Sequence, residues 1–207
     1  MKRYPFVLLV AVFVALAFSR VGAYDPTTWW LEIFPILIGA PILIATHRRF
    51  PLTPLLYSLL AVHAVILMVG GHDTYARVPL GFWAQHVFGF ARNDYDRLGH
   101  LAQGFIPAIL TREILLRTSP LRAGKWLFVL VTAVCLAFSA CYEFIEWWTA
   151  LAGGASADAF LGTQGDVWDT QWDMFCALVG AITAQVLLSG VHDRALGRLP
   201  GAAATRA

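Results

Sequence analysis

The chain has 207 residues, 58% of them hydrophobic and 14% charged, with a net charge of +2 and a positive mean hydropathy of +0.65. That balance lies outside the range of soluble globular domains and is that of a polytopic, all-α membrane protein. Nucleic acid is excluded as a partner, because no basic patch is interleaved with aromatics. No polar linker, low-complexity run or internal repeat divides the chain, so residues 1–207 read as one integral-membrane domain and an inverted-repeat transporter is not signalled.

Lys2 and Arg3 precede an apolar run that ends at Arg20. We read it as a first span over residues 4–21, since about 20 helical residues cross the hydrocarbon. Val21-Gly22-Ala23 also resembles a signal-peptidase site, so cleavage before Tyr24 is the alternative. Residues 29–46 form the second span, with Pro35 and Pro41 placed to kink it. Residues 53–70 form the third, with His63 near its middle. The run P-L-G-F-W-A-Q-H-V-F-G-F over residues 79–90 is too short to cross and rich in aromatics, which predicts an interfacial or re-entrant segment between the third and fourth helices. Residues 98–116, 126–148 and 172–190 complete a bundle of six transmembrane helices. A Gly/Ala/Ser connection precedes the last span and a short basic tail follows it.

Loop charge orients the bundle. With Lys2 and Arg3 inside, the inner side also collects Arg48, Arg49, Arg117, Arg122, Lys125, Arg194, Arg198 and Arg206. The outer loops hold Arg20, Arg77, Arg92 and Arg97. The bias predicts both termini in the cytoplasm. Acids segregate the other way: Asp25, Glu32, Asp73, Asp94, Asp96, Glu143, Glu146, Asp158, Asp166, Asp169 and Asp173 fall at the outer face, and Glu113 and Asp193 inside. Arg112 and Arg117, at the inner end of the fourth span, are expected to snorkel to the surface.

Several outer acids sit within helix ends. Asp96, His100 and Gln103 share one helical stripe, as do Ser139, Glu143 and Glu146, and as do Asp169, Asp173, Cys176 and Gly180. Ionisable groups at membrane depth are costly unless they face each other, a cation or water, so three polar stripes at one level predict one shared site. Cys135, Cys141 and Cys176 lie in apolar runs without metal-binding spacing and read as buried thiols; a Cys141–Cys176 disulfide is the alternative. His63 reads as a residue hydrogen-bonded within the bundle, His86 as a headgroup-level residue, and His72-Asp73 as a solvated loop pair. Trp147, Trp148, Trp168 and Trp172 read as an aromatic belt, or as the lining of a lipid-facing cleft. Asp158 is isolated and discounted.

The blocks D-Y-D-R-L-G-H, Y-E-F-I-E-W and G-D-V-W-D-T-Q-W-D-M resemble the family typified by the bacterial inner-membrane protein YjdF, from about the third span to the end. The resemblance implies an inner-membrane location and leaves the chemistry to the residues. A more distant pattern is similar to VanZ-like membrane proteins, linked with glycopeptide tolerance, which carry D-K-x-x-H, then E-x-x-Q, then D-x-x-x-N. Asp96 and His100 match the first element, with Arg97 where those proteins have Lys. Glu143 and Asp169 match the other two, with Glu146 and Asp173 replacing the amides.

Three functions are compatible with this pattern. The first is a metal-dependent or acid–base enzyme acting on a lipid, lipid-linked or other envelope substrate. Asp96, His100 and Glu143 are its candidate catalytic groups, and Arg97 its candidate substrate-binding cation. Asp96, His100, Glu143, Glu146, Asp169 and Asp173 are candidate metal ligands. One histidine among carboxylates is oxygen-rich ligation, which suits Mg, Mn or Ca better than Zn. The second is an ion- or proton-coupled transporter. The third is a structural cluster in which Arg92, Arg97 and His100 tie the helices together. No zincin helix, nucleophile elbow or phosphate-cradling glycine loop occurs.

Overall fold

The computed structural model describes residues 3–153 and 163–199. Asp158, most of the Gly/Ala/Ser connection, Lys2 and the terminal Arg206 lie outside the described residues. The described elements are helical: α1 (Arg3–Arg20), α2 (Pro26–Glu32), α3 (Phe34–Thr46), α4 (Pro54–Asp73), a single 3₁₀ turn (Tyr75–Arg77), α5 (Pro79–Phe88), α6 (Tyr95–Thr118), α7 (Lys125–Gly153) and α8 (Asp169–Leu196).

Local chemistry sets several boundaries. Asp25 caps α2 by accepting from the Thr27 N–H at 2.8 Å, with Pro26 at the first helical position. Thr53 caps α4 in the same way from the Leu56 N–H, with Pro54 behind it. Gly89 ends α5 at φ +69°, a left-handed conformation that suits glycine. The second expected span is broken: α2 and α3 meet at a 41° bend, with Ile33 at the junction and Pro35 within the first turn of α3. α5 is a ten-residue helix with Leu80, Phe82, Trp83, Val87 and Phe88 exposed. At about 1.5 Å per residue it reaches only half-way across a hydrocarbon core, consistent with a segment that does not span.

Four of the described helices, α1, α4, α7 and α8, are long and apolar enough to cross a membrane, and the bent α2–α3 pair makes a fifth span if counted as one. The six-helix expectation meets this measure only in part. α6 has 24 residues but carries Asp96, Arg97, Arg112, Glu113 and Arg117. Its polarity has a packing cause. α6 lies at the centre of the bundle, packed most extensively on α8 and also on α7 and α4, so protein rather than lipid surrounds those groups.

The α6–α8 contact is close because it is built on glycine. A Cβ on Gly104 would fall 1.9 Å from the Ala177 carbonyl oxygen, and one on Gly180 would fall 2.1 Å from that of Leu101. α7 joins through a stripe that reads Leu127, Val131, Cys135, Ser139, Glu143, Glu146, all buried. The stripe turns from apolar to acidic along one helix, which fixes the level at which the bundle core becomes polar. The apolar part joins Leu56, Ala108, Ile109, Ala181 and Ala184 in one core cluster. α1 packs on α4, and the Trp29 indole N–H donates to the Ser19 hydroxyl at 3.1 Å.

Three sequence expectations are corrected. Arg112 does not reach the surface: it is 3% exposed and held by His192 and Asp193, each at 2.8 Å. His63 has no hydrogen-bond partner at its buried Nε2. The three cysteines are free thiols, with Cys141 exposed, so the Cys141–Cys176 alternative is not formed and the buried reading fails for Cys141.

Candidate functional site

The acid stripes of α6, α7 and α8 converge at one end of the bundle. Asp96, His100, Glu143, Glu146, Asp169 and Asp173 are each no more than 9% exposed. His100 sits between elements, with Nε2 3.7 Å from Asp96 Oδ1 and Nδ1 3.8 Å from Glu143 Oε1. Both distances are too long for a hydrogen bond and short enough for a shared ligand. Asp96, His100 and Asp173 each offer one donor atom within 4.8 Å of the others. The donor geometry therefore narrows the six candidate ligands to a central three, with Glu143 against the far side of the imidazole. Glu146, on the same α7 face, lies within electrostatic range of Asp96, Glu143 and Asp173.

The centre is poor in partners. His100 Nδ1, Ser139 Oγ, Glu143 Oε1 and Asp173 Oδ1 are buried without a hydrogen bond. Buried polar atoms are normally satisfied, because desolvation without compensation costs on the order of 1–3 kcal/mol for each group. Unmet atoms thus occur on three helices, and those of His100 and Asp173 belong to the group whose donor atoms lie within 4.8 Å of one another. Two carboxylates and one imidazole fit a divalent cation in charge and in donor type.

A clasp of ion pairs borders the centre. Arg92 NH1 donates to the Thr163 carbonyl at 2.6 Å and contacts Asp169 Oδ1 at 2.6 Å, while its Nε lies 3.2 Å from Asp94. Burial works against the Arg92 charge, but Asp169, Asp96 and Asp94 outweigh it and raise its pKa. Arg97 reaches Asp94 at 3.2 Å and Asp166 at 2.7 Å, and lies 5.3 Å from the Trp172 ring. Two of its nitrogens are thus engaged by acids. Asn93, 1% exposed, ties three segments by donating to the Val78 carbonyl, accepting from the Tyr95 N–H and exchanging hydrogen bonds with Gln164. Trp147, Trp148, Trp168 and Trp172 are exposed around this end, as an aromatic belt requires.

Sequence reasoning missed Glu32. It is 5% exposed, lies beside the side chains of Tyr75 and Tyr142, and is within electrostatic range of Asp96. Burial first, and then the Glu32 charge, push the Tyr75 phenol well above its usual pKa. Tyr142 in turn lies edge-on to His100 at 6.3 Å. Glycines make the room: a Cβ on Gly71 would meet Glu32 at 3.1 Å, and one on Gly99 would meet Tyr75 at 2.8 Å. The available signal was an acid inside the apolar run W-W-L-E-I-F-P. His72 and Asp73 stand apart, with His72 Nδ1 on the Ser19 carbonyl oxygen at 2.9 Å, and His86 is exposed.

A second polar cluster, also missed, lies towards the other end of α6. Glu113 is fully buried and accepts from the Thr53 N–H at 3.0 Å and the Thr53 hydroxyl at 2.8 Å, pairs with Arg117 at 2.8 Å, and meets His192 Nε2 at 3.0 Å. Arg112 can only donate, so His192 Nδ1 accepts from it and Nε2 carries the proton that faces Glu113.

The comparisons with known proteins point to a membrane protein. A family model described as a predicted membrane protein (DUF2238) matches residues 4–194. The inner membrane protein YjdF of Escherichia coli (strain K12) is 55% identical over 183 residues, covering 88% of each chain. No solved structure matches. The match spans α1 to α8 and includes every residue of the acid centre, and the chain belongs to the YjdF family of inner-membrane proteins.

Proposed function

We propose that this protein is a six-span inner-membrane protein that binds a divalent cation in its acid centre and uses it on a lipid or envelope substrate. The observation that carries the reading is the Asp96–His100–Asp173 triplet, with donor atoms within 4.8 Å of one another and unpartnered buried atoms beside it. The sixth span is α6, whose charges are sheltered by its neighbours, and the bent α2–α3 pair counts as one. The excess of arginine and lysine at the opposite end supports an extracytoplasmic centre and cytoplasmic termini.

In this reading Asp96, His100 and Asp173 hold the cation, with Glu143 able to complete the oxygen ligands or orient the imidazole from its other nitrogen. A cation held by these residues would supply Lewis acidity, to activate a water or polarise a substrate oxygen. Mg, Mn or Ca suits the donor set better than Zn. The clasp supports a structural role for Asp94, Asp166 and Asp169, which already face arginine.

Metal analysis of protein purified without chelator tests the reading, followed by Mn(II) titration monitored by electron paramagnetic resonance. The expected result is near-stoichiometric cation in the wild type and little in Asp173→Asn or His100→Ala. Wild-type protein that takes up no divalent ion across millimolar Mn, Mg and Ca would sink it.

A further inference from the structure

Thr74, the residue after α4, holds φ +56° and ψ 139°. For a β-branched side chain a positive φ of that size is an outlier, kept only where the surroundings over-determine it, and such strain gathers at functional positions. Thr74 is 3% exposed, and its backbone delivers the next side chain into the bundle. Tyr75 is buried in a slot that two glycines leave open. A Cβ on Gly70 of α4 would fall 2.3 Å from the Tyr75 ring, and one on Gly99 of α6 would fall 2.8 Å from it. The Tyr95 ring lies beside it at 5.7 Å, fixed in turn by its hydroxyl, which donates to the Ile66 carbonyl at 3.1 Å.

Strain and two glycines are a heavy outlay for an apolar ring, so the polar tip is the part that explains them. The Tyr75 phenol lies within hydrogen-bonding reach of the Glu32 carboxylate, as does the phenol of Tyr142 from α7. Tyr142 is edge-on to His100, and Asp96 is the charge that acts on Glu32. Two donors on different elements thus fix a buried carboxylate that would otherwise be free to turn. We propose that Tyr75 is a positioning residue of the cation centre: its hydroxyl holds the Glu32 carboxylate beside Asp96, where that charge tightens cation binding without entering the ligand set. The inference rests on the cation reading and extends it to the first half of the chain. α2 and the 3₁₀ turn lie outside α6 and α8, which supply Asp96, His100 and Asp173.

Mn(II) titration of the full chain, followed by electron paramagnetic resonance, tests this with a double-mutant cycle. Tyr75→Phe keeps the ring in its slot and the charge of the centre, and removes the hydroxyl alone. Glu32→Gln removes the charge. Glu32→Gln is expected to weaken Mn(II) binding roughly tenfold, the scale of partners just outside a ligand set. Tyr75→Phe is expected to weaken it roughly fivefold, the worth of one hydrogen bond. The double variant should bind like Glu32→Gln alone, because a residue that acts through Glu32 has nothing to add once that charge is gone. The melting temperature of Tyr75→Phe should stay close to that of the wild type, while Tyr75→Ala, which empties the slot, lowers it. Mn(II) binding to Tyr75→Phe within twofold of the wild type, additive losses in the double variant, or a melting temperature for Tyr75→Phe as low as that of Tyr75→Ala overturns the proposal. Wild-type protein that takes up no Mn(II) sinks the cation reading and this inference together, and is told apart because the wild type itself is then silent.

Discussion

The two buried polar clusters along α6 contain the same residue types and are built to opposite rules. At the Glu113 end, the buried Glu113 and the half-exposed Asp193 face two guanidinium groups, Arg112 and Arg117, with His192 between them. Glu113 accepts from four different groups, and none of these residues has an orphaned buried polar atom. At the Asp96 end, Glu32, Asp96, Glu143, Glu146, Asp169 and Asp173 are all buried, Arg92 contacts Asp169, and unmet atoms remain on His100, Ser139, Glu143 and Asp173. Buried ions that are balanced and hydrogen-bonded hold helices in register. Buried ions left in excess cost stability unless something else supplies the missing charge. The Glu113 end is therefore built as a joint, and the surplus of acids at the other end is what the proposed cation would balance.

The sharpest way to break that comparison is to remove the hub of the joint. Glu113→Ala takes the acceptor from His192 and both Thr53 donors at a buried position, while Arg117 keeps the Pro51 carbonyl, at a cost of about 3–5 kcal/mol. The expected outcome is a large drop in the melting temperature or a loss of folded protein from the membrane fraction. Glu113→Gln keeps two acceptor lone pairs and lies between that variant and the wild type. Asp173→Asn is the matched change at the other end. It removes one negative charge from a crowded group of acids, so stability should hold or rise slightly. Mn(II) affinity should fall by at least tenfold, roughly the worth of one metal-ligand contact or its support. If Asp173→Asn unfolds the protein as Glu113→Ala does, both clusters are joints and the cation reading loses its basis.

The bundle itself was legible in the sequence, because long apolar runs have one structural solution in lipid. So was the convergence of the acid stripes, because Asp96/His100, Glu143/Glu146 and Asp169/Asp173 are spaced to share helix faces. What escaped depended on partners from other elements. Glu32 reaches the centre only through the α2–α3 break and the small Gly71 beside it. Arg112 reads as a snorkelling cation until α8 brings His192 and Asp193 to it. Hydropathy also misjudges α6, whose charges are compatible with its central place because other helices surround it. Spacing within one helix is visible in a chain, and partners supplied by another helix are not.

The close contact between α6 and α8 gives a smaller and more selective test. Gly104→Ala places a methyl 1.9 Å from the Ala177 carbonyl oxygen, and backbone cannot swing aside as a side chain can. The helices must part by a fraction of an ångström, at a cost of about 1–3 kcal/mol. The separation also withdraws Asp173 from Asp96 and His100, so Mn(II) affinity should fall although no ligand has changed. The joint, held by its own ion pairs nearer the other end of α6, should tolerate that change.

Arg97→Gln should have the smallest effect and says most about the clasp. Its side chain is 25% exposed and its partners Asp94 and Asp166 are 18% and 22% exposed, and without it Asp94 keeps Arg92 and Asp166 keeps the Trp168 N–H, so the stability loss should be about 1 kcal/mol. The clasp keeps Arg92 on Thr163 and Asp169 and keeps Asn93 on Gln164, which leaves the connection before α8 anchored. If Arg97 also binds substrate, Arg97→Gln impairs activity with a near-normal melting temperature and unchanged Mn(II) affinity. If it serves the clasp alone, activity follows the melting temperature, and Arg97→Lys, which keeps one charge but loses the two-pronged contact to Asp94 and Asp166, falls between the two.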